Sequence, residues 1–147
     1  MMPLVRTQGQ GEAAAGDATA PPWYAAHPSE IEAIDLIENL PFNLGMAVKL
    51  IWRCDRGASE DARRDLQSAH WYTEREYLRI DTYDLDDDPK PKTHVVWRAL
   101  ARKVRNADRE SLLADFLDEL LEDSFTEMME AINHAIRELD KPAKEAT

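Results

Sequence analysis

Apolar residues recur at three- and four-residue intervals through most of the chain from Ile31 to Leu139, interrupted only by proline, glycine and short polar turns. That period gathers side chains on one face of an α-helix, where a strand would alternate them between two faces. Ile31, Ile34, Ile37 and Leu40 form a first stripe, which Pro41 ends by disfavouring helical geometry in the residue before it. Ala47, Val48, Ile51, Trp52 and Cys54 form a second over about 42–56, with Gly57 as its stop. Ala62, Leu66, Ala69, Thr73, Tyr77 and Ile80 carry a third to residue 80, and Val96, Trp97, Leu100 and Val104 a fourth over about 93–105. From Leu113 to Leu139 the period runs on almost unbroken. With 5 glycines in 147 residues, and valine and threonine scarce outside short stretches, a large sheet is disfavoured. The expected fold is all-α: a compact bundle of about five helices with a long C-terminal helix.

Polar residues punctuate these stripes. Ser29 and Glu32 have the spacing of a capping box, and Ser59 precedes two acids that suit the first turn of a helix. Thr93 and Asp108 are the expected caps of the next two helices, and Ser124-Phe125-Thr126-Glu127 marks a break in the C-terminal run. Residues 1–22, rich in Gln, Gly, Ala and Thr and ending in Pro21-Pro22, read as a disordered tail. Residues 23–82 then form a helical domain, 83–92 an acidic, proline-bearing linker, and 93–140 a C-terminal helical extension, with the last seven residues frayed.

Lys plus Arg is 18 and Asp plus Glu 29, a net charge of −11 that disfavours nonspecific binding to nucleic acid. No apolar run approaches the roughly 18 residues of a membrane span, and the N-terminus lacks the basic-then-apolar order of a secretory signal. The single cysteine, Cys54, excludes an intramolecular disulfide and fits a reducing cytoplasm. Charge is uneven: His94 to Ala107 carries four bases and no acid, while the residues from Asp108 onward carry 12 acids and 4 bases. The basic helix is expected beside the acidic one, with a basic face for phosphate or RNA as the alternative.

Phosphate-loop, dinucleotide-fold, serine-hydrolase and zinc-protease motifs are all absent, and His27, His70, His94 and His134 have no metal-binding spacing. Lys49, Arg53 and Arg56 sit at i, i+4 and i+7 on one helical face. Three cations there suit phosphate, since Arg offers a planar fork and Lys a point charge; the alternative is pairing with Glu32, Asp35 or Glu38. Glu32 and Asp35 lie one turn apart, a spacing that suits magnesium or a solvated helix face, and Glu119-x-x-Glu122 and Glu127-x-x-Glu130 repeat it. Trp71 and Tyr72 are adjacent, so only one of them can face the core; the other is free to stack on a base.

The stretch from His27 to Leu78 resembles a phage-encoded domain family of unknown function that includes a small nucleotide kinase lacking a P-loop. The matching residues are His27, Ile31-Glu32-Ala33-Ile34-Asp35-Leu36-Ile37-Glu38, Phe42-Asn43-Leu44-Gly45-Met46-Ala47-Val48-Lys49, Arg53 and Asp65-Leu66-Gln67-Ser68-Ala69-His70-Trp71-Tyr72. The pattern's Gly-Asn is here Gly45-Met46, its Lys-Tyr is Lys49-Leu50, and its Lys before Ala is Ser68. The resemblance implies a nucleotide-binding protein with (deoxy)nucleoside monophosphate kinase chemistry in phage nucleotide metabolism. Substrate and phosphate would meet His27, Lys49, Arg53, Arg56 and Tyr72, the acids Glu32, Asp35 and Glu38 would be catalytic, and magnesium would sit on Glu32 and Asp35. One alternative is a non-enzymatic phage protein that binds a host protein. Another is a MazG-like all-α nucleotide pyrophosphohydrolase, although the acidic pairs come here in a different order. The surplus of apolar helix face also leads us to expect a homo-oligomer.

Overall fold

A computed structural model describes residues 27–81 and 94–141. The expected tail 1–22, the linker 83–92, the Thr93 cap and the frayed C-terminus lie outside the described residues. Among the described residues every regular element is helical: α1 (Ala33–Ile37), α2 (Phe42–Asp55), α3 (Ala62–Asp81), α4 (His94–Ala107), α5 (Leu112–Leu121) and α6 (Phe125–Asp140). The fold is all-α, as the period requires. Among the described residues there are six helices where about five were expected, because the C-terminal run breaks at Asp123, whose φ of 59° lies in the left-handed region.

The ends of α2 follow the punctuation. Pro41 precedes its first residue, and Gly57, at φ 72°, follows its C-cap Arg56. The Gly57 N–H bonds to the Cys54 carbonyl and the Ala58 N–H to that of Arg53, the paired bonds of a Schellman turn. This turn sends α3 back antiparallel along α2.

The first helix differs from expectation. It spans only Ala33–Ile37, since Ser29 does not cap it. The Ser29 hydroxyl is bonded to His27 Nδ1 (2.8 Å) and accepts the Ile31 N–H, and Glu30 adopts φ 65°. The capping box forms three residues later between Glu32 and Asp35, with the Asp35 carboxylate taking the Glu32 N–H at 3.2 Å. The buried residues are accordingly Ala33 and Leu36, and Ile34 of the expected stripe is exposed. Other caps also shift. The Asp61 carboxylate, not Ser59, takes the Arg64 N–H at the head of α3. Ser111, not Asp108, caps α5 by accepting the Ala114 N–H at 3.0 Å. The break near Ser124 is present, but the Ser124 side chain makes no cap bond.

The helices pack as a closed circuit, α1 on α2, α2 on α3, α3 on α6, α6 on α5, α5 on α4 and α4 on α1, with α2 also touching α5. One apolar cluster fills the circuit and draws from both sides of residues 82–93. Trp52, Phe116, Leu36, Ile51, Leu113, Leu117, Met128 and Ile132 are its largest fully buried apolar side chains. The basic helix does lie beside the acidic ones: Arg98 donates to the Leu121 carbonyl at 2.8 Å and pairs with Asp123, and Arg105 pairs with Asp118 at 3.0 Å. Arg102 and Lys103 of α4 remain exposed.

Phe116 is fully buried in this cluster. Its replacement by Ala is expected to remove about 3–5 kcal/mol of folding free energy, transfer and cavity terms together. Urea unfolding followed by circular dichroism measures it; a loss under about 1 kcal/mol would show that helices α5 and α6 do not share the core with α2.

Candidate functional site

The residues singled out by sequence fall into three places. The first is the cap of α1. Glu32 and Asp35 are exposed and engaged in the capping box of their own helix. No group of three or more His, Cys, Asp or Glu side chains converges to hold a metal among the described residues, so nothing supplements this pair as ligands. Glu38, the C-cap of α1, is exposed and has no part in the box.

The second place is the turn between α2 and α3. Arg53 grips Asp65 with two bonds, Nε to Oδ2 at 3.0 Å and an Nη to Oδ1 at 2.9 Å, and the Ser59 hydroxyl donates to Oδ2 at 2.6 Å. The expected structural partners of Arg53 were Glu32, Asp35 or Glu38; the actual one is Asp65, because the tight turn at Gly57 brings α3 closer than α1. Partial burial alone would raise the Asp65 carboxyl, but the bonds from Arg53 and Ser59 prevail and hold it below the usual carboxylate range. Cys54 lies alongside, its thiol pushed up to about 11 by burial, and is therefore a protonated packing residue, not a nucleophile.

The third place is the joint where α2 meets the chain entering α1 and the start of α5. His27 is buried against Trp52, with ring centres 5.0 Å apart. Its Nδ1 accepts from the Ser29 backbone N–H at 3.0 Å, so the hydrogen-bond network assigns the neutral ring's proton to Nε2. Burial first, then the nearby Arg56 charge, lowers the His27 pKa against the opposing pull of Asp108. Arg56 and Trp52 are one turn apart on α2, and the Arg56 Nε and Trp52 Nε1 are buried donors without a hydrogen-bond partner. Asp55 completes the joint by accepting the Leu113 N–H at 2.7 Å and so capping α5 from a distance in sequence. Its carboxyl is pushed up to about 6 by burial, with Asp108 adding to the rise and the N–H groups of Leu113 and Leu112 and the Arg56 charge opposing it.

From the first turn of α2 its outer face, exposed at Phe42 and half-buried beyond it, runs to these last two places. Phe42, Met46, Lys49, Arg53 and Arg56 recur at i, i+4, i+7, i+11 and i+14, which is a single helical face. Lys49 is half-buried and has no ion pair among the described residues, while Phe42 is 72% exposed. Phe42 meets Tyr72 edge-on at 6.2 Å, and Tyr72 meets Trp71 edge-on at 5.1 Å. Of the adjacent pair, Tyr72 packs on the core and Trp71 faces out, 55% exposed. α1 crosses this region at Gly45, where an added Cβ would come within 3.2 Å of the Ile37 side chain.

Sequence reasoning gave no role to Asp55 or Glu76. Asp55 carried a signal, since an acid in the last turn of a helix opposes the helix dipole unless something distant uses it. Glu76 carried one too, lying on the buried face of Ala69 and Thr73; it is 1% exposed and held by Asn43 (3.1 Å) and by a two-bond grip from Arg79. No family model, no curated protein and no solved structure matches this chain.

Two outcomes follow from these placements. In a double-mutant cycle, Arg53→Ala and Asp65→Ala each lower stability, with a coupling of about 1 kcal/mol; additive effects would mean the pair contributes nothing. Asp55 holds its proton more tightly folded than unfolded, so its contribution to stability is fully present below pH 3.8 and declines as pH rises through about 6. Relative to Asp55→Asn, the wild type therefore loses up to about 3 kcal/mol between those pH values. Parallel stability–pH curves for the two proteins would contradict this assignment.

Proposed function

We propose that the protein binds a nucleotide along the outer face of α2, with the base against Phe42 and Tyr72 and the phosphates toward Lys49 and Arg56. The observation that carries this reading is the alignment of an exposed aromatic and an unpaired lysine on one helical face, two turns and about 10 Å of helix apart. Phe42 at 72% exposure contributes little to the core, and Lys49 pairs with no acid among the described residues, so neither is explained by the fold. Arg53 is occupied by Asp65 and acts here as a neighbour that orders the face, not as a phosphate fork. The resemblance to the phage nucleotide kinase family supports the same ligand class, and kinase chemistry in phage nucleotide metabolism is the finer form of the proposal. Positioning and electrostatics carry phosphoryl transfer, and magnesium would arrive with the nucleotide. Glu38 is the acid of α1 left outside the capping box, at the edge where α1 crosses α2 one turn from Lys49. A cytoplasmic setting belongs to this reading; no helix among the described residues is long and apolar enough to cross a membrane.

A thermal-shift panel of nucleoside mono-, di- and triphosphates, with and without magnesium, tests it, because a ligand that binds only the folded chain raises the melting temperature by mass action. Lys49→Ala is expected to weaken binding by about 10-fold or more, the worth of a charge-assisted contact, while leaving the unliganded melting temperature within a degree or two. Phe42→Ala should weaken binding of nucleotides but not of inorganic phosphate. A flat panel, or equal ligand shifts in wild type and Lys49→Ala, would sink the reading; phosphoryl transfer between bound nucleotides, followed by phosphorus NMR, decides the kinase form.

A further inference from the structure

The face of α3 turned away from both α2 and α6 packs against no other helix among the described residues. On its α2 side, Asp65, Tyr72 and Glu76 contact Arg53, Phe42 and Asn43. On its α6 side, Arg63 pairs with Asp140 and His70 meets Asn133. Tyr77 adds a contact with Phe125 at 5.8 Å. Opposite the core lie Arg64, Gln67, Trp71, Glu74, Arg75 and Leu78, all exposed and recurring at three- and four-residue spacing. Trp71 is 55% and Leu78 53% exposed, far more apolar surface than an outward helix face needs. Glu74 makes no ion pair among the described residues, and Arg75 rests over the Trp71 ring at 5.9 Å.

We infer that this face pairs two copies of the chain, α3 against α3 in antiparallel order about a twofold axis between Glu74 and Arg75. The order of residues is self-complementary. Trp71 and Leu78 lie equally far on either side of that axis, so each Trp71 meets the second copy's Leu78. Glu74 and Arg75 straddle it, so each Glu74 meets the second copy's Arg75. A twofold interface demands this reciprocity, in which residue i meets j and j meets i. Trp71, Glu74 and Leu78 follow one another at steps of three and four, the spacing of an antiparallel helix seam. About this axis residues 68–81 of α3 face their own counterparts, about 21 Å of helix. Trp, Tyr and Arg are also the residues that most often dominate interface energetics. The seam leaves Lys49 and Arg56 clear, and the inference does not depend on nucleotide binding.

Sedimentation equilibrium of the full chain across the micromolar range reads the assembly directly, and a dimer of twice 16.8 kDa is expected. Charge exchange tests the register. Glu74→Arg alone faces Arg75 of the second copy, and Arg75→Glu alone faces Glu74, so each should raise the dissociation constant by about tenfold or more. The double variant Glu74→Arg/Arg75→Glu restores opposite charges and should dimerise like the wild type. Both positions are exposed, so far-UV circular dichroism should match across the set, and Trp71→Ala should dissociate the dimer without any change of charge. A monomeric wild type, a dimer indifferent to the single exchanges and to Trp71→Ala, or a double variant that stays dissociated would each overturn the proposal.

Discussion

The halves of this fold meet at a bond that local sequence logic would forbid. Asp55 is the last residue of α2, where the helix dipole disfavours an acid. The same carboxylate lies 2.7 Å from the Leu113 N–H at the first turn of α5, where the dipole favours one. The bond to α5 offsets part of the cost of burying this acid at the end of α2, and the geometry is possible only when the end of α2 abuts the start of α5. The joint also fixes its surroundings. Trp52, one turn earlier on α2, is fully buried and carries His27 on its ring. His27 in turn recruits the Ser29 hydroxyl, so α1 starts later and is shorter than its apolar stripe suggests.

That chain of consequences explains which parts of the fold were legible. Helix identity was, because period and punctuation are local: Pro41, Gly57 and the region of Ser124 all end or divide helices where their backbone preferences require it. Caps were less so. Ser29, Ser59 and Asp108 are each plausible by spacing, yet Ser29 serves His27, Ser59 serves Asp65, and Asp108 yields to Ser111. A hydroxyl near a helix start takes whichever acceptor or donor tertiary structure brings closest, and spacing along the chain cannot rank these.

Pairings between helices were legible only in part. The register of the α2–α3 hairpin is set by the turn at Gly57. It is recorded twice, by Arg53 with Asp65 near the turn and by Asn43 with Glu76 at the far end. Arg53 and Asp65 are each the other's partner. Because each accounts for the other, their presence says more about the hairpin than about a ligand. Phe42 and Lys49 have no such mutual explanation, which is why the functional reading rests on them.

The charge of the chain bears on whether an anion can approach that face. Of the net −11, −8 belongs to the residues from Asp108 onward, leaving −3 for residues 1–107. The acidic excess is concentrated where carboxylates already crowd one another. Burial and then neighbouring acids raise the carboxyls of Asp115 and Glu119, Asp118 acting on both. Charges separated by more than about 8 Å of salt solution are largely screened at physiological ionic strength. What a phosphate would meet at the outer face of α2 is therefore set by near neighbours: Lys49, with no paired acid among the described residues, Arg53 neutralised by Asp65, and Arg56 between Asp55 and His27. The acidity is carried mainly by α5, α6 and the residues between them, so the overall charge of −11 does not by itself exclude an anion at this face of α2.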